Sequence, residues 1–224
     1  MKRVPGRELL SNQTLTYPHV EGIYPIDPDI MNDERKKIFR FEWASNNVDE
    51  LLKQGMICQN CLDIGSCDGY MAVVIAKKKN VHNIPVPIRV DAVEAHDQSW
   101  GVCEETAKLS RSKGLHIKTH HVLFEDYQTT DKYDIVIAFE ILEHTTDPVS
   151  FLGKIYDSMR FGAYLFMTVP EEHGIYGKTD TNEWHYWLFT LQSLVSMFDD
   201  TKWRIHQAFE LGDLIHIKAS KVVP

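Results

Sequence analysis

The segment Glu140-Ile141-Leu142-Glu143-His144 gathers two carboxylates and an imidazole in one short stretch. If it forms a helical turn, positions i, i+3 and i+4 share a face. Carboxylate oxygens and an imidazole nitrogen together suit Mg²⁺, Mn²⁺ or Zn²⁺, and such an ion acidifies a hydroxyl bound to it. Without a metal, His144 serves instead as a general base or as a loop anchor. A second set lies upstream. Asp63 is followed by Gly65 and Gly69, and Glu94 closes the run Asp91-Ala92-Val93-Glu94. Gly65 lets the backbone turn sharply, and Gly69 leaves room for a ligand against a helix start.

These residues need elements that present them. An apolar strand over 57–64 runs into Asp63 and Gly65, and a crossover helix follows over 69–79. Residues 88–93 read as a second strand ending in Glu94, 98–113 as a helix stopped by Gly114, and 117–123 as a third strand. The continuous apolar run Tyr133 to Phe139 suits a strand buried on both faces, and it delivers Glu140 at its end. Asp147-Pro148 is a helix start, with Val149, Leu152, Ile155, Tyr156 and Met159 on one stripe. A fifth strand over 163–169, a helix over 190–198 and a closing antiparallel pair (203–210 and 214–219) complete the chain. Residues 1–30 read as an irregular arm, and 32–54 as a helix with Ile38, Phe41, Val48, Leu51 and Leu52 at helical spacing. Alternating strands and helices imply an open, doubly wound, Rossmann-like α/β sheet whose ligands sit beyond the strand carboxyl ends.

The Asp63–Gly69 stretch resembles motif I of class I S-adenosylmethionine (SAM)-dependent methyltransferases, with Ser66-Cys67 where many members carry a second glycine. The resemblance extends over about residues 54–218 and implies the seven-stranded sheet of that class, closed by a C-terminal antiparallel hairpin. It implies cofactor contacts at Asp63, Gly65, Ser66, Gly69 and Glu94, with Glu94 on the ribose hydroxyls. Val122, Leu123 and Phe124 would lie along the adenine, and Glu140 would lie near the cofactor. An NAD enzyme would instead want Gly-x-Gly-x-x-Gly for its pyrophosphate. Glu-x-x-Glu-His resembles a motif of ubiquinone-pathway O-methyltransferases and of small-RNA 2′-O-methyltransferases. There it is associated with a divalent metal beside the methyl acceptor, which implies Glu140, Glu143 and His144 as ligands. His185, before an aromatic run and Thr190, is similar to a further ligand in those families, with His173 as its competitor. Tyr176, Trp184, Tyr186 and Trp187 offer walls for a flat acceptor. The division expected is an arm and helix over 1–53, serving as a substrate-side lid, and a SAM-binding domain over 54–224.

Composition narrows the class. The chain has 224 residues and a formal charge of −8, without the basic face that a phosphate backbone attracts. That balance favours a small hydroxylated acceptor over RNA. Cys58 and Cys61 form a Cys-x-x-Cys pair without the second pair a structural zinc wants, so the thiols read as reduced and the compartment as cytoplasmic. No apolar run nears the roughly 20 residues of a membrane span, and no signal-peptide core follows the first residues. The expected activity is O-methylation of a small molecule. RNA 2′-O-methylation and a non-catalytic SAM-fold scaffold stand as the alternatives.

Overall fold

The computed structural model describes residues 1–3, 24–29, 38–80, 82–172, 184–199 and 201–222. Among the described residues seven strands hydrogen-bond in one sheet, in the order β4 (His116–His121), β3 (Arg89–Glu94), β2 (Asn60–Ile64), β5 (Tyr133–Phe139), β6 (Met159–Pro170), β9 (Leu214–Lys221), β8 (Trp203–Leu211). By contacts the chain divides into two units, one of residues 14–135 and one of residues 1–13 with 136–224.

In the first unit, helix α1 (Phe39–Lys53) precedes strand β2 (Asn60–Ile64). Helix α2 (Tyr70–Ala76), strand β3 (Arg89–Glu94), helix α3 (Asp97–Ser112), strand β4 (His116–His121) and the start of β5 (Tyr133–Phe139) follow. β2, β3 and β4 pair in parallel, with Ile64 opposite Val93 and Glu94 opposite His121. Cys61 to Ile64 and Val90 to Glu94 are buried without a break, as expected of strands covered on both faces. β2 begins where Asp134 Oδ2 accepts the N–H groups of Gln59 (2.8 Å) and Asn60 (2.9 Å). α3 stops at Gly114, whose φ of +80° only glycine adopts without strain, as its sequence position implies.

Two details depart from the sequence reading. α1 begins at Phe39, so Ile38 is left 37% exposed as its N-cap, and the buried stripe is Trp43, Ala44, Val48, Leu51 and Leu52. The helix is held to the end of α2 by Lys78. Its ammonium donates to Ser45 O, Ser45 Oγ and Asp49 Oδ2, and burial lowers its pKa against the pull of Asp49.

In the second unit, a 3₁₀ turn (Leu142–His144) leads to helix α4 (Pro148–Ser158). Asp147 caps α4 by accepting from Val149 and Ser150 N–H, and Pro148 occupies its first turn, as the sequence implies. β6 (Met159–Pro170) starts four residues earlier than its apolar core suggests, because Arg160 to Gly162 extend the strand at the surface. It pairs antiparallel with β9 (Leu214–Lys221), which pairs in turn with β8 (Trp203–Leu211) through a turn at Gly212. Short helix α5 (Leu191–Val195) has a capping box between Thr190 and Ser193. β1 (Lys2–Arg3) pairs with β7 (Trp187–Leu188), a ribbon whose two short segments carry no alternating pattern in the sequence.

Candidate functional site

The loop from β2 to α2 is a chain of backbone hydrogen bonds. Gly65 and Ser66 N–H both donate to Val93 O (2.9 and 3.2 Å), and Gly69 N–H donates to Ser66 O (2.8 Å). Three loop residues have left-handed φ: Gly65 (+68°), Cys67 (+51°) and Gly69 (+80°). Cys67 lacks glycine's freedom, and the conformation costs an L-residue on the order of 1 kcal/mol. That strained residue turns its N–H to Glu94 Oε2 (2.8 Å), while His96 N–H donates to Glu94 Oε1 (2.8 Å). Glu94 is therefore aimed by two loops. A carboxylate has about four lone-pair sites, so it retains acceptor capacity for a diol.

Three carboxylates are buried here: Asp63, Asp68 and Glu94, at 3%, 4% and 8% exposure. Asp63 Oδ2 has no hydrogen-bond partner among the described residues. Burial, then the charges of Glu94 and Asp68, push the Asp63 carboxyl up to about 7. Burial also raises Glu94, against the backbone N–H groups that favour its charged form. An ammonium or sulfonium group with hydroxyl donors suits such a cluster of buried carboxylates. SAM has all three.

The structure assigns other roles at two of the expected positions. A Cβ at Gly69 would lie 3.2 Å from Cys103 Sγ and 3.2 Å from Thr106 Cγ2, so α3 fills the space beside it. Ser66 Oγ likewise lies 3.4 Å from Cys103 Sγ. Past β4, Val122 N–H donates to Glu94 O (3.2 Å), Leu123 is 38% exposed, and Phe124 is buried beside Tyr127. Trp100 and His121 escaped the sequence reading. Their rings stack at 4.5 Å, and His121 Nε2 lies 3.2 Å from Ala95 O and 3.0 Å from Asp97 Oδ1. The signal was their position, one at the end of β4 and one in the first turn of α3.

In the second unit the acidic-histidine segment meets Trp184 to Trp187. Tyr186 N–H donates to Glu143 O (2.8 Å), Trp187 Nε1 donates to Thr145 O (2.9 Å), and His144 Nδ1 lies 2.8 Å from Trp184 O. A carbonyl only accepts, so His144 carries a proton on Nδ1. Nε2 of His144 is 3.9 Å from Glu143 Oε1, and Nε2 of His185 is 4.0 Å from the same oxygen. The two rings meet edge to face at 4.8 Å, and Glu143 is 1% exposed. Glu143, His144 and His185 thus converge, with ligand atoms within 4.8 Å of one another.

Glu140 does not join that group. Its φ of +52° and its N–H bond to Thr168 O (2.8 Å) set it ahead of the turn, which begins only at Leu142. The i, i+3, i+4 face expected of Glu140, Glu143 and His144 therefore never forms. A carboxylate with two imidazoles is a donor set that zinc and its neighbours accept. A tetrahedral ion with bonds of about 2.1 Å spaces its ligand atoms about 3.4 Å apart, so the two Glu143 approaches would close by roughly half an ångström and the widest pair by up to about 1.4 Å. Tyr186 is buried, and the Trp187 indole is tied to Thr145, so both serve the scaffold of the group. His173 and Tyr176 lie outside the described residues.

Residues 29–209 match the family described as a methyltransferase domain, and the chain belongs to it. Its fold is that of SAM-dependent methyltransferases. A ubiquinone biosynthesis O-methyltransferase of Aeromonas salmonicida is 26% identical over 131 residues, covering 58% of this chain and 48% of that protein. The match thus spans about half the length of that curated relative. A SAM-dependent methyltransferase of Aquifex aeolicus superposes with a TM-score of 0.61 at 14% identity, over 88% of this chain and 100% of that one. One from Clostridium acetobutylicum gives 0.63 at 8% identity, over 85% and 97%. These structures share the fold. No helix among the described residues is long and apolar enough to cross a membrane.

Asp63 makes the site's electrostatics measurable. Its folded pKa is raised, so its contribution to stability is complete below about pH 4 and is lost as pH rises through 7. Asp63→Asn should stabilise the cofactor-free protein at pH 8 by about 2–4 kcal/mol, and the gain should vanish at pH 4. Thermal melts at the two pH values, with equal shifts at both, would contradict this.

Proposed function

We propose that this methyltransferase methylates a hydroxyl oxygen of a small molecule, with SAM held by the 65–69 loop, Asp63 and Glu94. The distant O-methyltransferase relative and the charge of −8 support a small hydroxylated acceptor. The observation that carries the reading is the setting of His144, whose Nδ1 lies 2.8 Å from Trp184 O and whose Nε2 lies 3.9 Å from Glu143 Oε1.

In this reading SAM supplies the electrophilic methyl carbon. Glu94 accepts the ribose hydroxyls, and Asp63 faces the cofactor's positive charge. His144 Nε2 takes the acceptor's hydroxyl proton as the oxygen–carbon bond forms and the carbon–sulfur bond breaks. Glu143, 3.9 Å away and deeply buried, favours the imidazolium that results. Holding oxygen, carbon and sulfur in line supplies much of the acceleration.

A metal-assisted variant is favoured by one observation, the convergence of Glu143, His144 and His185. Those three residues would hold a Zn²⁺, Mn²⁺ or Mg²⁺ ion, which would acidify the acceptor hydroxyl. The carbonyl behind His144 Nδ1 is the kind of support that metal-bound imidazoles use.

Two measurements separate these claims. Glu94→Ala should weaken SAM binding by about 1.5–3 kcal/mol with the fold intact, and unchanged affinity would remove Glu94 from the ribose. Methyl transfer should be followed with labelled SAM and a library of phenols and other hydroxylated molecules. Base catalysis predicts that a chelator leaves transfer untouched, that His144→Ala slows it about 10²–10⁴-fold, and that SAM affinity is unaffected. Loss of transfer on chelation, restored by added divalent metal, decides for the metal-assisted variant. A His144→Ala enzyme as fast as the wild type would sink both.

A further inference from the structure

One buried hydroxyl joins the cofactor loop to the N-terminal segment. Thr106, on α3, is fully buried. Its Oγ1 donates to Asp68 O in the cofactor loop (2.7 Å) and accepts the N–H of Ile26 (2.8 Å). A threonine hydroxyl has one proton and two lone pairs, so both bonds coexist, and donation by the oxygen strengthens its acceptance. The side chain's methyl, Cγ2, lies 3.2 Å from where a Cβ on Gly69 would stand. Thr106 therefore touches the loop twice, through a hydrogen bond to Asp68 and by packing against Gly69.

Ile26 belongs to a strap, residues 24–29, laid along the same helices. Lys77 Nζ, just past α2, donates to Pro28 O, and Lys113, just past α3, pairs with Asp29. Pro28 is buried. The two outer anchors use exposed lysines, which contribute little and weaken with salt. The part-buried Ile26–Thr106 bond ends on a fully buried hydroxyl, which also fixes the Asp68 carbonyl. If the loop shifts, Thr106 shifts, and the Ile26 N–H loses its acceptor.

We propose that Thr106 is a positioning residue that sets the cofactor loop and couples docking of the 24–29 strap to SAM loading. The inference rests on the reading that the 65–69 loop holds SAM. A coupling of this kind is reciprocal: whatever orders the loop also seats the strap, and the converse.

S-adenosylhomocysteine is the probe, with affinity read by calorimetry and amide exchange by NMR on the full chain. In the wild type the ligand should slow exchange at residues 65–70 and also at Ile26, though Ile26 is in a separate segment of the chain. Thr106→Val keeps the shape but strands the Asp68 carbonyl and the Ile26 N–H. It should weaken binding about ten-fold and abolish the ligand's effect on Ile26. Thr106→Ser keeps the hydroxyl and should restore both. Should the valine variant fail to fold, the serine variant and the wild-type Ile26 response still decide. Protection of 65–70 without any response at Ile26, or wild-type affinity in Thr106→Val, overturns the coupling and leaves the cofactor site standing. No protection at 65–70 overturns the cofactor site, and the coupling with it.

Discussion

Three carboxylates withdrawn from water around one loop are the constraint on which the first unit is built. Burying Asp63, Asp68 and Glu94 together costs free energy unless N–H groups or cations compensate. Backbone supplies part of the compensation: Cys67 and His96 N–H for Glu94, and Tyr70 N–H for Asp68 Oδ1. Those N–H groups reach the acids because the loop passes through left-handed conformations at Gly65, Cys67 and Gly69. Asp63 Oδ2 is the remainder. A protein that only had to fold would replace it with an apolar side chain, so a cationic cofactor is the natural account of why the acid is there.

The rest of that unit follows from keeping the loop in place. α3 can close on it because the facing residues are small, Cys103 and Thr106 against a bare Gly69. The start of α3 is fixed by His96, whose Nδ1 accepts Ser99 N–H (3.3 Å) while its own N–H serves Glu94. The helix cap and the placement of Glu94 are thus one structure. The second unit shows a comparable economy, since the hydrogen bonds that seat Trp184 to Trp187 also hold a proton on His144 Nδ1.

Much of this was legible in the sequence where the physics is local. Gly65 and Gly69 announced a turn, Glu94 ended an apolar run, and Asp147-Pro148 announced a helix, all through near neighbours in the chain. The failures share a cause. Glu140 was grouped with Glu143 and His144 by helical spacing, but a left-handed residue before the turn breaks that spacing and leaves no mark in the residue types. The packing of Cys103 and Thr106 beside Gly69 is a contact across more than thirty residues, which the residue types alone do not announce. The stacking of Trp100 on His121, and Thr106 between Asp68 and Ile26, likewise depend on register between distant segments. His185 was reached only through a family resemblance, and its approach to Glu143 is set by the same kind of register.

The account's central claim is that the buried acidic cluster is poised for a cationic cofactor. Calorimetric titration with S-adenosylhomocysteine at pH 7, repeated in buffers of different ionisation enthalpy, counts the protons exchanged on binding. Asp63, with its carboxyl raised to about 7, is partly protonated there and is expected to ionise as the ligand's ammonium arrives. Wild-type protein should release measurably more protons than Asp63→Asn. Identical proton counts for the two, at comparable affinity, would show that Asp63 does not meet the cofactor's charge and would contradict the claim.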